Sequence, residues 1–377
     1  MGVPFNKPVW LGEHPDILKE CLDARHFSGD GPYGKRCEAL LTKTTGKPVR
    51  LTSSATHALE MMGLLADIRP GDEVILPSFT FVSTANAFAL RGASLRFADN
   101  DDFGNLLPSE VERLLNKKTK AVMTMHYAGG SADLDKLIEL CASHKIPLLE
   151  DAAQAIGAFY KNRPLGTLGA LGCYSFHDTK NVTCGEGGAL VFGDPSFVEP
   201  AEIIREKGTN RSQFLQGLTD KYTWVGLGSS YIVSDLSAAY LWPQLERVEQ
   251  INAKRRELWK NYAKDLGPAL EKAGVRMLGT PAHNTPNHHM FAVLFSKNED
   301  RGDFISFMKA KGVVCPFHYV ALHTSPFGAT FADGKPERLP GCDHFSQCLV
   351  RLPLYYNMTD AEQAYVVAAC LEWLKKH

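Results

Sequence analysis

Between about residues 48 and 195, short apolar stretches alternate with stretches that have the apolar period of an α-helix. The clearest strand candidates are residues 94–98, 121–125 and 189–192, and residues 133–141 have the helical period. This alternation predicts a parallel sheet, because each parallel strand needs a crossover connection that lies on a face of the sheet. The expected fold class is therefore α/β, with a mostly parallel sheet and helices on both faces.

The end of the chain is expected to form a smaller domain. Residues 249–264 carry the charge of a long exposed helix, and the strand candidate 290–294 is followed by helical stretches. At 377 residues the chain is long enough for one large core and a second, smaller one. We place the boundary near residue 248. This predicts a large domain over 1–248, including the N-terminal segment, and a small α/β domain over 249–377.

Composition excludes several classes of protein. Hydrophobic residues make up 44% and charged residues 22% of the chain, as in ordinary globular enzymes. A formal net charge of −1 offers no basic surface to a nucleic-acid partner. We find no run of about eighteen apolar residues and no signal-peptide core, so we expect no membrane partner and a cytoplasmic location. Cysteines without paired spacing fit a reducing compartment, and His288, His289 and His323 do not make a metal site.

Lys180 stands in an unusual setting for a lysine. An apolar, strand-like run over residues 172–176 precedes it, and the glycine-rich stretch 184–188 follows it. A lysine held among apolar residues can lose its proton and bond covalently to an aldehyde, as pyridoxal phosphate enzymes require. The alternative is a lysine that merely ends a buried strand, and this segment alone does not separate the two interpretations.

Asp151 ends another apolar run, residues 148–149, and is followed by two alanines. This pattern is typical of the carboxyl end of a buried parallel strand, where ligand-binding groups gather in open α/β sheets. A carboxylate there can bind the protonated pyridine nitrogen of the cofactor. The alternative is a helix N-cap, which is the commoner role for an aspartate before Ala-Ala. Together with Lys180 in a second strand–turn unit, the pattern favours the cofactor.

Residues 53–61 read as a small-residue turn that opens an amphipathic helix after a strand at 49–52. Free backbone N–H groups and hydroxyls at such a helix start can bind a phosphate ester. An ordinary Ser/Thr cap is the alternative.

Residues 74–82 are predicted to form a strand that ends in an aromatic residue. Phe81 at this end is a candidate for stacking on a pyridine ring, although most such aromatic residues belong to the core.

In this order, the motifs resemble the fold-type I, pyridoxal-phosphate-dependent sugar-nucleotide aminotransferases of deoxyamino-sugar biosynthesis. The resemblance covers nearly the whole chain, from Pro4 to the C-terminal helix. The segments 204–214, 220–224 and 228–231 are distinctive within that family. They look most like the branch that aminates C4 of dTDP-4-dehydro-6-deoxyglucose and forms dTDP-4-amino-4,6-dideoxygalactose. We expect L-glutamate to be the amino donor.

The resemblance implies a role for each residue of a cofactor site. Lys180 would bind the cofactor covalently and move the proton during catalysis, and a lysine here argues against the relatives that have histidine and catalyse dehydration. The other roles are Ala55 and Thr56 with Ser175 at the phosphate, Phe81 stacked on the ring, Asp151 at the pyridinium nitrogen and Gln154 near the ring hydroxyl.

Ser230 is where this chain departs from many members of the family. Those members carry an asparagine that reaches the cofactor phosphate across a dimer interface, and serine is shorter. The closest branch shares the serine. The resemblance thus implies a homodimer whose active sites lie between the subunits, with Ser230 as the candidate contact to the partner's cofactor.

The resemblance also implies a sugar-nucleotide pocket lined by residues 317–323, with His318, Tyr319 and His323 as candidates. Taken singly, histidines there are more often ordinary surface or core residues. Arg205 and Arg211 are candidates for the diphosphate, because guanidinium forks suit phosphate oxygens. Surface ion pairs are an equally good interpretation of each arginine.

Other functions explain fewer of these sequence features. Cysteine desulfuration or decarboxylation on the same fold would keep Lys180 and Asp151 but would give no reason for the segment 204–224. A non-catalytic sensor of sugar or cofactor would give no reason for the intact set of Lys180, Asp151 and Ser175. Within the aminotransferases, the alternatives are amination at C3, another 4-keto sugar, and an equatorial instead of an axial amine.

Overall fold

A computed structural model describes residues 2–332 and 338–376 of the chain. The helices are α1 His14–Ala24, α2 Pro32–Thr45, α3 Ala55–Leu65, α4 Val82–Ala89, α5 Pro108–Leu114, α6 Leu134–His144, α7 Val198–Arg205, α8 Arg211–Leu215, α9 Asp235–Leu245, α10 Val248–Lys272, α11 Asn298–Ala310, α12 Pro340–Cys348 and α13 Asp360–Leu374. The strands are β1 Val49–Thr52, β2 Glu73–Pro77, β3 Ser94–Ala98, β4 Thr119–Met125, β5 Leu148–Asp151, β6 Phe159–Tyr160, β7 Arg163–Pro164, β8 Leu171–Ser175, β9 Gly188–Phe192, β10 Arg276–Met277, β11 Asn284–Thr285, β12 Phe291–Leu294 and β13 Leu349–Leu352.

The central sheet of the described residues has seven strands in the order β1-β9-β8-β5-β4-β2-β3. From β8 to β3 every neighbouring pair is parallel. The strand β9 runs antiparallel to both β8 and β1. The mostly parallel α/β sheet expected from the strand–helix alternation is therefore confirmed.

Both faces of this sheet are buried, which requires helices on each side. In β2, Val74 and Leu76 belong to one apolar cluster and Ile75 to the other. Likewise in β4, Met123 and Val122 lie in opposite clusters, because successive side chains of a strand point to opposite faces. Residues of α3 and α4 complete the first cluster, and residues of α2, α5, α6 and α9 complete the second.

The strand expected over residues 74–82 is shorter than predicted. β2 ends at Pro77, and Val82 is already the first residue of α4. Residues 78–80 form a bend, in which the Thr80 N–H donates to the Ser78 carbonyl at 3.1 Å, so the run does not continue as a paired strand. The correction matters for function, since it places Phe81 directly before a helix at the carboxyl edge of the sheet.

The remaining strands form two small sheets, the antiparallel β10-β12-β13 and the set β11-β6-β7. Along α10, Leu258 and Tyr262 share an apolar cluster with Leu59 and Met62 of α3, so the core runs across the proposed domain boundary. The boundary near residue 248, where α10 begins, stays a prediction. In the described ranges, no helix is both long and apolar enough to cross a membrane.

Candidate active site

A cavity of about 610 Å³ opens at the carboxyl edge of the central sheet. Met125, Asp151 and Ser175 are the last residues of the neighbouring parallel strands β4, β5 and β8, and all three line it. Open α/β sheets bind ligands at this edge. Nine of the residues singled out in the sequence line this cavity: Ala55, Thr56, Phe81, Asp151, Gln154, Ser175, Lys180, His318 and Tyr319.

Asp151 is held in one orientation at the floor of the cavity. It is only 4% exposed. The Thr84 hydroxyl donates a hydrogen bond to its Oδ2 at 2.7 Å, and the Ala153 N–H donates to its Oδ1 at 3.1 Å. Hydrogen bonds to a charged acceptor are among the stronger ones in proteins, so these two donors fix where the carboxylate points.

Lys180 is partly buried in the same cavity. Burial lowers the pKa of its amine from 10.5 to about 8, while the nearby Asp151 charge raises it and the Arg351 charge lowers it. With a pKa of about 8, roughly a tenth of the amine is neutral at pH 7, which is the form that attacks a carbonyl. Such an amine can act both as a nucleophile and as a group that takes up and returns a proton.

The start of α3 forms an anion cradle beside Lys180. Ala55 and Thr56 line the cavity, and the Thr56 hydroxyl lies 2.8 Å from that of Ser83, which also lines it. Gly188 allows the close approach of β9, since a Cβ there would lie 2.4 Å from the Ala55 nitrogen. Backbone N–H groups and hydroxyls at a helix start are suited to a phosphate, and buried Ser175 adds another hydroxyl.

Two further side chains shape the place for a planar ring. Phe81 is 55% exposed at the edge of the cavity, where an aromatic face is available for stacking. Gln154 accepts a hydrogen bond from the Ala128 N–H at 2.8 Å and donates one to the Tyr319 hydroxyl at 2.8 Å. Because a backbone N–H only donates, the orientation of the Gln154 amide is determined.

This set of groups fits pyridoxal phosphate. It offers an amine with a lowered pKa, a fixed carboxylate, an anion cradle and an exposed aromatic face. Among the residues described, no group of three or more His, Cys, Asp or Glu side chains is placed to hold a metal ion.

Comparison with protein families agrees with this arrangement. Residues 12–371 match the model of the DegT/DnrJ/EryC1/StrS aminotransferase family. The chain belongs to this family. It is a pyridoxal-phosphate-dependent aminotransferase with the fold-type I architecture.

Solved structures of similar aminotransferases cover almost the whole chain. The aminotransferase TlmJ from Streptoalloteichus hindustanus is 29% identical over 99% of both chains, with a TM-score of 0.90. DesV from S. venezuelae, solved with a ketimine intermediate, is 28% identical over 99% of both chains, with a TM-score of 0.88. Helicobacter pylori PseC, an aminotransferase of pseudoaminic acid biosynthesis, has a TM-score of 0.89 over 100% of both chains, and its 21% identity shows the shared fold alone.

Four residues singled out in the sequence do not line the cavity of this chain. Arg205 is buried and pairs with Asp30 at 2.8 Å and Glu202 at 3.2 Å. Arg211 pairs with Glu206 at 2.8 Å. Both arginines therefore form ion pairs within the chain, which was the alternative interpretation of each. Their role at the diphosphate stays a prediction.

The other two are His323 and Ser230. His323 is buried, with its Nδ1 2.7 Å from the Ser78 hydroxyl and its Nε2 3.4 Å from Asp343. Ser230 is exposed, and its backbone pairs with that of Glu206. An exposed Ser230 is available to a second subunit, but its contact with a partner's cofactor stays a prediction, as does a role for His323 at the sugar.

Sequence reasoning missed several residues that line the cavity, among them Arg255, His289 and Arg351. Arg351 could have been found, because an arginine inside the apolar strand β13 is out of place. Arg255 had no such signal, since it is one of many charged residues in α10. It is nevertheless buried and donates to the carbonyls of His288, His289 and Leu354.

The protonation of His289 follows from the hydrogen bonds of its neighbours. The Asn181 amide donates from Nδ2 to the backbone carbonyl of Asn287 at 3.0 Å, so Asn181 Oδ1 is the atom that faces His289 Nδ1 at 2.9 Å. Nδ1 must therefore carry the proton. Burial, with the charges of Lys180 and two arginines, lowers the pKa of His289 well below 6.5. His289 is thus neutral, and its Nε2 is a hydrogen-bond acceptor at the cavity.

Proposed function

We propose that this sugar aminotransferase transfers the amino group of L-glutamate to C4 of dTDP-4-dehydro-6-deoxy-D-glucose. The products are dTDP-4-amino-4,6-dideoxy-D-galactose and 2-oxoglutarate. The observation that carries this choice is the sequence of residues 204–231, which resembles the branch of the family with this activity. The cavity supports it, because the candidate cofactor residues line it together with His318 and Tyr319.

Bound pyridoxal phosphate supplies an electron sink for negative charge that develops at the reacting carbon. The residues of the chain provide orientation and proton transfer. Asp151, which accepts a hydrogen bond from Thr84, would hold the pyridine nitrogen, and the start of α3 with Ser175 would hold the phosphate. Phe81, exposed at the cavity, would stack on the ring.

Lys180 moves the proton in both halves of the reaction. Its neutral amine removes the proton from the α-carbon of L-glutamate and later returns one to the sugar carbon. A pKa near 8 suits both tasks, because general acid–base catalysis is most effective when the pKa lies close to the working pH. The face of the sugar that meets Lys180 decides whether the new amine is axial or equatorial.

The active form is proposed to be a homodimer in the cytoplasm. The segment next to Ser230 exposes a set of large apolar side chains: Leu215, Leu218, Tyr222, Trp224, Val225 and Leu227. Monomers rarely expose so many adjacent apolar side chains without a partner. We propose that this segment of each subunit packs against the other subunit, which would place Ser230 at the partner's active site.

The reaction is tested by incubating the purified protein with pyridoxal phosphate, L-glutamate and dTDP-4-dehydro-6-deoxyglucose. Mass spectrometry and NMR then identify the amino sugar. We expect an amine at C4 with the galacto configuration, and no product from Lys180→Ala. An amine at C3, an equatorial amine or no amination would contradict the proposed substrate and product.

A further inference from the structure

Residues 3–7 form an irregular segment beside the cavity, which we call the N-terminal strap. Phe5 and Asn6 at its centre line the cavity and are half-buried. A segment near a chain end, without a helix of its own, keeps its place only through contacts with other parts of the chain. The position of the strap therefore follows from the residues that hold it.

Both ends of the strap are attached to the C-terminal part of the chain. The Val3 N–H donates to the Gly312 carbonyl at 2.9 Å, and the Val314 N–H donates to the Val3 carbonyl at 3.1 Å. At the other end, the Lys7 Nζ lies 2.8 Å from the Glu362 carboxylate in the first turn of α13. The backbone is thus held on both sides of the strap's centre.

Asn6 joins the strap to the turn that carries Lys180. Its Nδ2 donates to the Asp178 carbonyl at 2.8 Å. Asp178 is the second residue of a β-turn that the Lys180 N–H closes by donating to the His177 carbonyl at 2.9 Å. The Asp178 carbonyl belongs to the central peptide of this turn, which takes no part in the closing hydrogen bond. Asn6 therefore fixes the peptide whose rotation would change the turn type and the path of the chain into Lys180.

The turn has little packing of its own. Asp178 and Thr179 are exposed, because β8 has already ended at Ser175. Within the loop, the Asp178 N–H donates to the Gly185 carbonyl at 3.1 Å. Asn6, 172 residues earlier in the chain, adds a restraint from outside the loop. Exposed backbone with few such restraints opens readily, so this contact matters for the order of the turn.

We propose that Asn6 is a positioning residue for Lys180. By holding the central peptide of the turn, it directs the Lys180 amine toward the aldehyde carbon of the cofactor. The strap thereby links the C-terminal part of the chain to the catalytic lysine. Position matters at a reacting group, since a displacement of about 1 Å can lower a rate roughly a hundredfold. Asn6 carries no charge and transfers no proton, so it acts through Lys180.

Two ligands of the apoprotein separate the positioning of Lys180 from the formation of the cavity. Pyridoxal phosphate bonds to the Lys180 amine with loss of water, whereas pyridoxamine phosphate has no aldehyde and binds without that bond. Asn6→Leu nearly keeps the shape of asparagine but removes the donor. For this variant we expect the rate of pyridoxal phosphate capture, measured by stopped-flow absorbance at high pH where the amine is neutral, to fall roughly tenfold.

Other properties of Asn6→Leu should stay as they are. The affinity for pyridoxamine phosphate, measured by calorimetry, should change about twofold at most, because the cavity is intact. The pH midpoint of capture should not move, because the variant changes no charge. Asn6→Gln keeps an amide donor on a longer side chain and should recover part of the lost rate.

Asn357→Leu is a matched control. Asn357 also joins the N-terminal part of the chain to the C-terminal part, since its Oδ1 accepts from the Trp10 N–H at 3.1 Å and its Nδ2 donates to the Trp10 carbonyl at 3.3 Å. In the described part of the chain it does not line the cavity. This variant should leave both the capture rate and the pyridoxamine phosphate affinity unchanged.

Three results would overturn the proposal. These are an unchanged capture rate in Asn6→Leu, equal losses of capture rate and of pyridoxamine phosphate affinity, and an equal loss of capture rate in Asn357→Leu. If Asn6→Leu does not fold, Asn6→Ala is judged by the same criteria. No sugar is used in these measurements, so failure of the proposed sugar substrate would leave their outcome intact.

Discussion

The hydroxyl of Thr84 and the carboxylate of Asp151 are joined by a buried hydrogen bond of 2.7 Å. Thr84 lies in α4 and Asp151 ends β5, so the bond ties a helix start to the strand end that lines the cavity. The Thr80 hydroxyl lies 2.8 Å from that of Thr84 and extends the chain of hydroxyls. Asp151 is therefore oriented by residues about 70 positions earlier in the chain.

Replacing Thr84 by valine should weaken cofactor binding. Valine has nearly the shape of threonine but donates no hydrogen bond, so Asp151 would lose one of the contacts that orient it. A hydrogen bond to a charged group is worth about 1.5–3 kcal/mol, so we expect the dissociation constant for pyridoxal phosphate to rise roughly tenfold or more. Titration of apoprotein, followed by absorbance, measures it. Thr84→Ser keeps the donor and should stay within about twofold. Equal affinities for Thr84→Val and the unmodified protein would contradict this role.

Capture of pyridoxal phosphate by the apoprotein should depend on pH with a midpoint near the Lys180 pKa of about 8. Only the neutral amine attacks the aldehyde, so the rate should rise about tenfold per pH unit below 8 and level off above it. Stopped-flow absorbance measures the rate, and a free amine at each pH corrects for ionisation of the cofactor itself.

Two variants should move this midpoint in opposite directions. Asp151→Asn removes a negative charge that raises the Lys180 pKa, so the midpoint should fall. Arg351→Gln removes a positive charge that lowers the pKa, so the midpoint should rise. A midpoint near 10.5 in the unmodified protein, the value of an ordinary lysine, would show that Lys180 is not desolvated as described.

His289 should be neutral and protonated on Nδ1 throughout the range from about pH 6 to 8. Asn181 accepts a hydrogen bond from Nδ1, and burial lowers the pKa of the imidazole well below 6.5. Nitrogen NMR of histidine-labelled protein distinguishes the two ring nitrogens. Asn181→Ala removes the acceptor, so this variant should show a mixture of tautomers. A proton on Nε2 in the unmodified protein would contradict the arrangement.

Replacing Trp224 by serine should weaken self-association. The side chain is 76% exposed in the single chain, and its removal from an interface would lose a large buried aromatic surface. Sedimentation equilibrium should show a dimer for the unmodified protein and a dissociation constant at least about tenfold higher for Trp224→Ser. Phe327→Ser removes another exposed aromatic residue, far from that segment in sequence, and serves as the control. A monomeric unmodified protein would contradict the proposed dimer.

Local sequence patterns were sufficient for the sheet and for several residues that line the cavity. Lys180 and Asp151 were singled out because each follows an apolar run, and strand ends of a parallel sheet meet at one edge, whereas Ser175 was added by the family resemblance. The Ala55–Thr56 turn was recognised as a helix start. These features depend on a few adjacent residues, so they are visible without the fold. The extent of the strand before Phe81 was wrong, because an apolar run does not show where pairing stops.

The tertiary structure decided what depends on contacts between distant parts of the chain. Arg205 and Arg351 are both arginines, yet Arg205 forms ion pairs with Asp30 and Glu202 while Arg351 lines the cavity and donates to the Phe317 carbonyl. Likewise, the proton position of His289 follows from Asn181, over one hundred residues earlier. The sequence alone determined which side chains can carry charge or protons. Only the tertiary structure determined which of these side chains form hydrogen bonds or ion pairs within the chain and which line the cavity. The reason is that burial and hydrogen bonding depend on residues that are distant in the sequence and packed together in the fold.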